Sequence, residues 1–158
     1  MTDEVLTDER IAHLLGMPKR LMSDPGKWAR KPGHEQIGCE YRGENDERFH
    51  FFARKNLRLS EDFSCGLRWL SPGGEETILI RFNGRSHSHG NALGEPLLTL
   101  EFHVHRALGR YLERGLKSDA YAEQPRFPYA TVVQAAHHLA RECALDSLPR
   151  ILIQADLL

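Results

Sequence analysis

From Glu35 to about Arg106 the chain alternates apolar and polar residues at every second position. A period of two puts the apolar side chains on one face of a strand, whereas a helix would scatter them around its axis. The segment near 48–59 sets Phe49, Phe51, Ala53, Leu57 and Leu59 against Arg48, His50, Arg54 and Arg58. The segment near 62–70 sets Phe63, Cys65, Leu67 and Trp69 against Ser64 and Arg68. After the turn Pro72-Gly73-Gly74, residues 76–83 place Ile78, Ile80 and Phe82 opposite Thr77, Arg81 and Asn83. Beyond a polar loop, Leu98, Leu100, Phe102 and Val104 alternate with Thr99, Glu101, His103 and His105. Strands this close in sequence, joined by short turns, form antiparallel hairpins with one face buried.

The flanks have helical periodicity. Thr7 is placed to cap a helix whose first turn holds Asp8 and Glu9 and whose stripe is Ile11, Leu14 and Leu15, ending near Gly16 and Pro18. This opening resembles the first half of a bacterial helix-turn-helix. Lys19-Arg-Leu-Met-Ser-Asp-Pro-Gly breaks after one turn, however, and supplies no recognition helix. Residues 24–34, rich in Pro, Gly and Lys, read as a loop. Ala107, Leu108, Tyr111, Leu112 and Leu116 form a second stripe with Gly115 as a stop, and Val132, Val133, Ala136, Leu139, Ala140 and Cys143 a third. The tail Ile151-Leu-Ile-Gln-Ala reads as a short strand. The expectation is a single α+β domain over residues 1–158, an antiparallel β-meander of about four to five strands packed with an N-terminal helix and two C-terminal helices.

Bulk properties exclude several classes. No apolar run approaches the ~20 residues that cross a bilayer, and the acidic start Met1-Thr-Asp-Glu does not match a secretory signal. Three cysteines (Cys39, Cys65 and Cys143), widely spaced, suit reduced thiols in the cytoplasm better than a disulfide framework. Cys65 and Cys143 fall on buried stripes. A net charge of −1 gives the whole molecule no pull on nucleic acid or anionic membrane, yet Lys19, Arg20, Lys27, Arg30 and Lys31, then Arg48, Arg54, Lys55 and Arg58, allow a local basic surface.

Four stretches carry a resemblance to a known family. They are Asp62-Phe-Ser-Cys-Gly-Leu, Ile80-Arg-Phe-Asn-Gly-Arg-Ser-His-Ser-His-Gly-Asn, Phe102-His-Val-His-Arg-Ala and Gly115-Leu-Lys-Ser-Asp-Ala-Tyr-Ala-Glu. Together with Leu6-Thr-Asp-Glu they resemble a family of small uncharacterised bacterial proteins of unknown function. The resemblance spans most of the chain and implies one domain. It carries no catalytic residue over.

Three groups of residues are candidates for chemistry. Arg54 or Arg58, Arg68, Arg81, His103 and His105 fall on one side of neighbouring strands, where same-side residues two apart are separated by ~7 Å. Guanidinium groups grip phosphate in a bidentate fork, and imidazole exchanges protons near neutrality. This combination suits a metal-independent endoribonuclease of toxin or mobile-element type, with Arg54, Arg68, Arg81, Asn83 and Asn91 binding substrate. His103 and His105 would act as base and acid, supported by His87 or His89. It equally suits a surface that binds RNA or another phosphate-bearing ligand without catalysis, or a protein-interaction module. No cofactor is expected on these readings. As an alternative, the two HxH pairs His87/His89 and His103/His105 would hold a transition metal in a metal-dependent enzyme, with Glu95 giving a loose echo of a cupin motif. The third group is Asp119-Ala-Tyr121-Ala-Glu123, whose carboxylates are placed to orient a histidine of the sheet. His137 and His138 read as structural.

Overall fold

In the computed structural model, which describes residues 5–86, 90–95 and 101–156, the alternating region forms one antiparallel sheet. Its strands are β1 (Arg20–Leu21), β2 (Ala29–Lys31), β3 (His34–Arg42), β4 (Arg48–Asn56), β5 (Phe63–Leu70), β6 (Glu76–Asn83), β7 (His103–Arg106) and β8 (Ala122–Glu123). The order is β1-β3-β4-β5-β6-β7-β8, and β2 shares the outer edge of β3 with β1. The expected meander is therefore the middle of a sheet that has eight strands among the described residues, rather than four to five. The extra strands β1, β2 and β8 are two or three residues long, too short to display a period.

Register follows the buried face. Tyr41 pairs with Phe49 and Phe49 with Trp69, while Phe51 pairs with Leu67 and Leu67 with Ile80. All six side chains are buried, each contributing on the order of 1.5–3 kcal/mol. Against them packs α3 (Val132–Glu142) through Ala135, Ala136 and Leu139. Thr131 caps α3 by accepting from the Gln134 N–H at 3.1 Å, and the Gln134 side chain reaches back to the Ala130 N–H at 2.8 Å. Thr7 caps α1 (Asp8–Gly16) as expected, accepting from the Arg10 N–H at 3.1 Å. Residues 20–21 then enter the sheet as β1, where a helix-turn-helix would need a second helix.

Two expectations are corrected. The stripe at 107–116 yields only the four-residue α2 (Gly109–Leu112), and the chain turns at Gly115 with φ of 72°. The tail 150–156 is a helix, α4 (Arg150–Asp156), rather than a strand. Its apolar run fits either period. Tertiary packing selects the helix, since Leu152 is buried and its carbonyl lies 3.2 Å from His137 Nε2 on α3.

Lys19 joins the two ends of the core. It is 2% exposed, and its ammonium donates to Leu15 O at 2.8 Å, Met17 O at 2.9 Å and Cys143 O at 2.7 Å. These carbonyls belong to the C-terminal ends of α1 and α3, where a cation is favoured. The ammonium also lies 4.8 Å from the Phe49 ring centroid. Among the described residues no helix is long and apolar enough to cross a membrane.

Candidate functional site

The face of the sheet opposite α3 carries the residues that the alternation set apart. Cross-strand rows on this face run Gln36–Arg54–Ser64–Asn83–His103, then Gly38–Phe52–Gly66–Arg81–His105, then Glu40–His50–Arg68. Arg54, Arg68, Arg81, Asn83, His103 and His105 do share one face of adjacent strands. Arg58 does not, because it lies beyond the end of β4 in a turn where its N–H donates to Asn56 Oδ1 at 2.7 Å.

The face divides into a covered half and an open half. At the β7 edge, His103 is 0% and His105 2% exposed, so the imidazoles gather but below the surface. Their ring centroids are 4.9 Å apart. Arg81 donates through Nη2 to His105 Nε2 at 3.2 Å. A guanidinium has no lone pair to offer, so Nε2 is the accepting nitrogen of His105. His103 Nδ1 lies 2.8 Å from Glu101 O, a carbonyl that only accepts, so Nδ1 carries that ring's proton. Arg81 is itself held by Asp119 at 2.9 Å and by Asn83 Oδ1 at 3.0 Å. Burial lowers the Arg81 pKa from its usual value, and Asp119 works against that shift. The carboxylate expected to orient a histidine thus acts one step removed, by fixing the arginine that holds His105. The open-surface arrangement expected of a base and acid pair is not the arrangement of these two rings.

The remaining polar groups near this edge have partners within the fold. Asn91 accepts from the Ala122 N–H at 2.9 Å and donates to Ala122 O at 2.8 Å, closing the free edge of β8 like a further strand. Glu95 pairs with Arg110 and accepts from Tyr111 Oη at 2.8 Å. Glu123 pairs with Arg106 and accepts from Tyr121 Oη at 3.0 Å. His138 Nε2 lies 3.1 Å from Pro128 O. His87 and His89 lie outside the described residues. Among the described residues no group of three or more His, Cys, Asp or Glu side chains is placed to hold a metal.

The open half, over β3, β4 and β5, has an element that the alternation did not single out. Phe52 follows Phe51 and falls on the polar face with His50 and Arg54. Each ring leans over a glycine of the neighbouring strand. A Cβ on Gly66 would stand 2.5 Å from Phe52 Cζ, and one on Gly38 would stand 2.9 Å from His50 Cε1. Only residues without a Cβ let the two rings lie down on the sheet. The Arg68 guanidinium then covers the Phe52 ring, 4.2 Å from its centroid. Burial first, and the Arg68 charge second, lower the His50 pKa from its ordinary value. The detectable signal was two adjacent phenylalanines with Gly38 and Gly66 in phase with the second.

Charge on the open half is uneven. Glu40 accepts from Arg42 and Arg48, both at 3.0 Å, neutralising the far end of the face. Arg68 has only a loose contact with Glu76 at 3.9 Å, and Arg54 makes no ion pair among the described residues. Comparisons with protein-family models, with curated proteins and with solved structures find no match to this chain.

Proposed function

We propose that the protein binds single-stranded RNA across the open half of its sheet, without a cofactor. The observation that carries this reading is the layered stack of Arg68 on Phe52 on Gly66, beside an Arg54 with no carboxylate partner among the described residues. Unpaired bases stack on aromatic rings and on guanidinium planes, contributing about 1–3 kcal/mol per base, and the flanking phosphates seek cations. The outer plane of the Arg68 guanidinium offers the stacking surface, and Arg54, two residues from Phe52, the phosphate contact. His50 and Ser64 border the platform as neutral polar groups. Arg81 and Asn83 act as its support, since Asp119 and His105 already occupy the Arg81 donors.

The test is fluorescence anisotropy with a labelled single-stranded oligouridine at low ionic strength, set against the same RNA as a duplex. Saturable binding is expected for the single strand, weakened roughly tenfold or more by Phe52→Ala and also weakened by Arg54→Gln. No saturation, or equal affinity of wild type and both variants, overturns the proposal. The same incubations report cleavage. Shortened RNA whose formation is lost in His105→Ala would establish the ribonuclease reading, and intact RNA leaves a binding protein. Binding to a protein partner through this face, with RNA inert, would make it an interaction module.

A further inference from the structure

A second feature lies on the opposite side of the sheet, at the edge that α3 leaves uncovered. Phe82, Arg106, Arg126, Phe127, His138, Arg141 and Glu142 line a cleft of about 230 Å³. Its walls are aromatic. The Phe127 ring is parallel to that of His138 within 7°, with centroids 6.0 Å apart, and Phe82 lines the same cleft. Phe127 is 66% exposed, an unusual position for a large apolar ring in a segment without other exposed aromatics.

The rim is cationic beyond what its carboxylates neutralise. Arg106, with a side chain only 12% exposed, is paired with both Glu123 and Glu142. Arg126 reaches the same two carboxylates loosely, at 4.0 and 3.5 Å, from a side chain 64% exposed. Arg141, exposed on α3, makes no ion pair among the described residues. Arg106 and Arg126 therefore share two carboxylates, and Arg141 is the surplus cation at the mouth of an aromatic slot. Arginine at such a mouth prefers a planar anion that accepts a two-pronged hydrogen bond.

We infer that this cleft binds a small aromatic carboxylate, with the ring against Phe127 and Phe82 and the carboxylate on Arg141 and Arg126. The volume lies below the ~300–1,000 Å³ of pockets for drug-sized ligands, which restricts the guest to about one ring system. The site shares no residue with the RNA-binding face and stands independently of it.

Benzoate, benzamide and cyclohexanecarboxylate are the probes, followed by saturation-transfer NMR and calorimetric titration of the whole protein. Benzoate should saturate with a dissociation constant of about 1 mM or tighter, and both neutral benzamide and the non-aromatic acid should bind more weakly. Arg141→Gln and Phe127→Ala should each weaken benzoate roughly fivefold or more. Both positions are exposed, so the melting temperature should stay at its wild-type value in each. Absence of saturation by benzoate overturns the inference. So do benzamide binding as tightly as benzoate and variants that bind benzoate like the wild type.

Discussion

The Phe52 ring occupies the space that a side chain on Gly66 would need, its Cζ standing 2.5 Å from the ideal Cβ position. Glycine inside a strand is ordinarily a weakness, and replacing it with alanine gains roughly 0.5–1 kcal/mol. Here the sign reverses, because the Ile80 carbonyl also lies 2.7 Å from that position and backbone cannot move aside as a side chain can. Gly66→Ala should lower unfolding stability by about 1–3 kcal/mol and weaken RNA binding with it. Chemical denaturation monitored by the fluorescence of Trp28 and Trp69 measures the first effect, and a variant as stable as wild type would show that the ring does not rest there.

Asp119 cancels the charge of Arg81, the guanidinium nearest the covered half. On the RNA-binding reading, Asp119→Asn should add one cation to the face and steepen the dependence of log Kd on log salt by about 0.7, the value per phosphate contact for single strands. Arg54→Gln should flatten it by a similar amount. Anisotropy titrations at several salt concentrations give both slopes.

The buried ammonium of Lys19 predicts both a stability loss and a pH signature. Lys19→Met removes the donor from three helix-end carbonyls and should cost about 2–4 kcal/mol near neutral pH. Burial lowers the Lys19 pKa to about 8 in the folded protein, against 10.5 ordinarily. Between those values the unfolded chain holds the proton more tightly, so this group adds stability as pH rises, by up to about 1.4 kcal/mol per unit. The buried thiols act in the opposite direction. Burial pushes Cys39 and Cys143 up to about 12, so at high pH the unfolded chain loses thiol protons that the folded chain keeps. Subtracting the Lys19→Met curve from the wild-type curve removes the Cys39 thiol, which is common to both, and part of the Cys143 contribution, since the Lys19 charge itself lowers the Cys143 pKa. The difference should grow from pH 8 toward pH 10, and a flat difference would contradict the lowered pKa.

Ala144, just past the end of α3, has φ of +54°, a left-handed conformation that favours glycine. It is held there because the Leu145 N–H returns to Ala140 O at 2.9 Å, while Ala144 O accepts from the Lys19 N–H at 2.8 Å. Ala144→Gly should relieve the strain and stabilise the protein by about 1 kcal/mol. A rise of several degrees in melting temperature is the expected readout.

Local pattern was sufficient for the centre of the fold. Alternation at Phe49–Ala53 and Phe63–Trp69 marked two long strands because burial on one face forces a period of two. It marked β6 as well, although a register shift there pairs Ile78 with Arg68 and buries Leu79 out of the expected phase. Thr7 and the stripe at 132–143 marked two helices through capping chemistry and a period of 3.6. The same alternation put Arg54, Arg68, Arg81, Asn83, His103 and His105 on one face, and the cross-strand register agrees.

What lay beyond the sequence depended on contacts distant along the chain. Period alone does not distinguish helix from strand in Ile151-Leu-Ile-Gln-Ala, and the neighbouring α3 decided it. Alternation also says which side of a sheet a residue faces without saying what covers that side. His103 and His105 therefore read like Arg54, yet the folded chain buries the two imidazoles, ties His105 to Arg81 and Arg81 to Asp119, and leaves the Phe52 platform half-open. Burial is a property of the assembled layers, and no single strand encodes it.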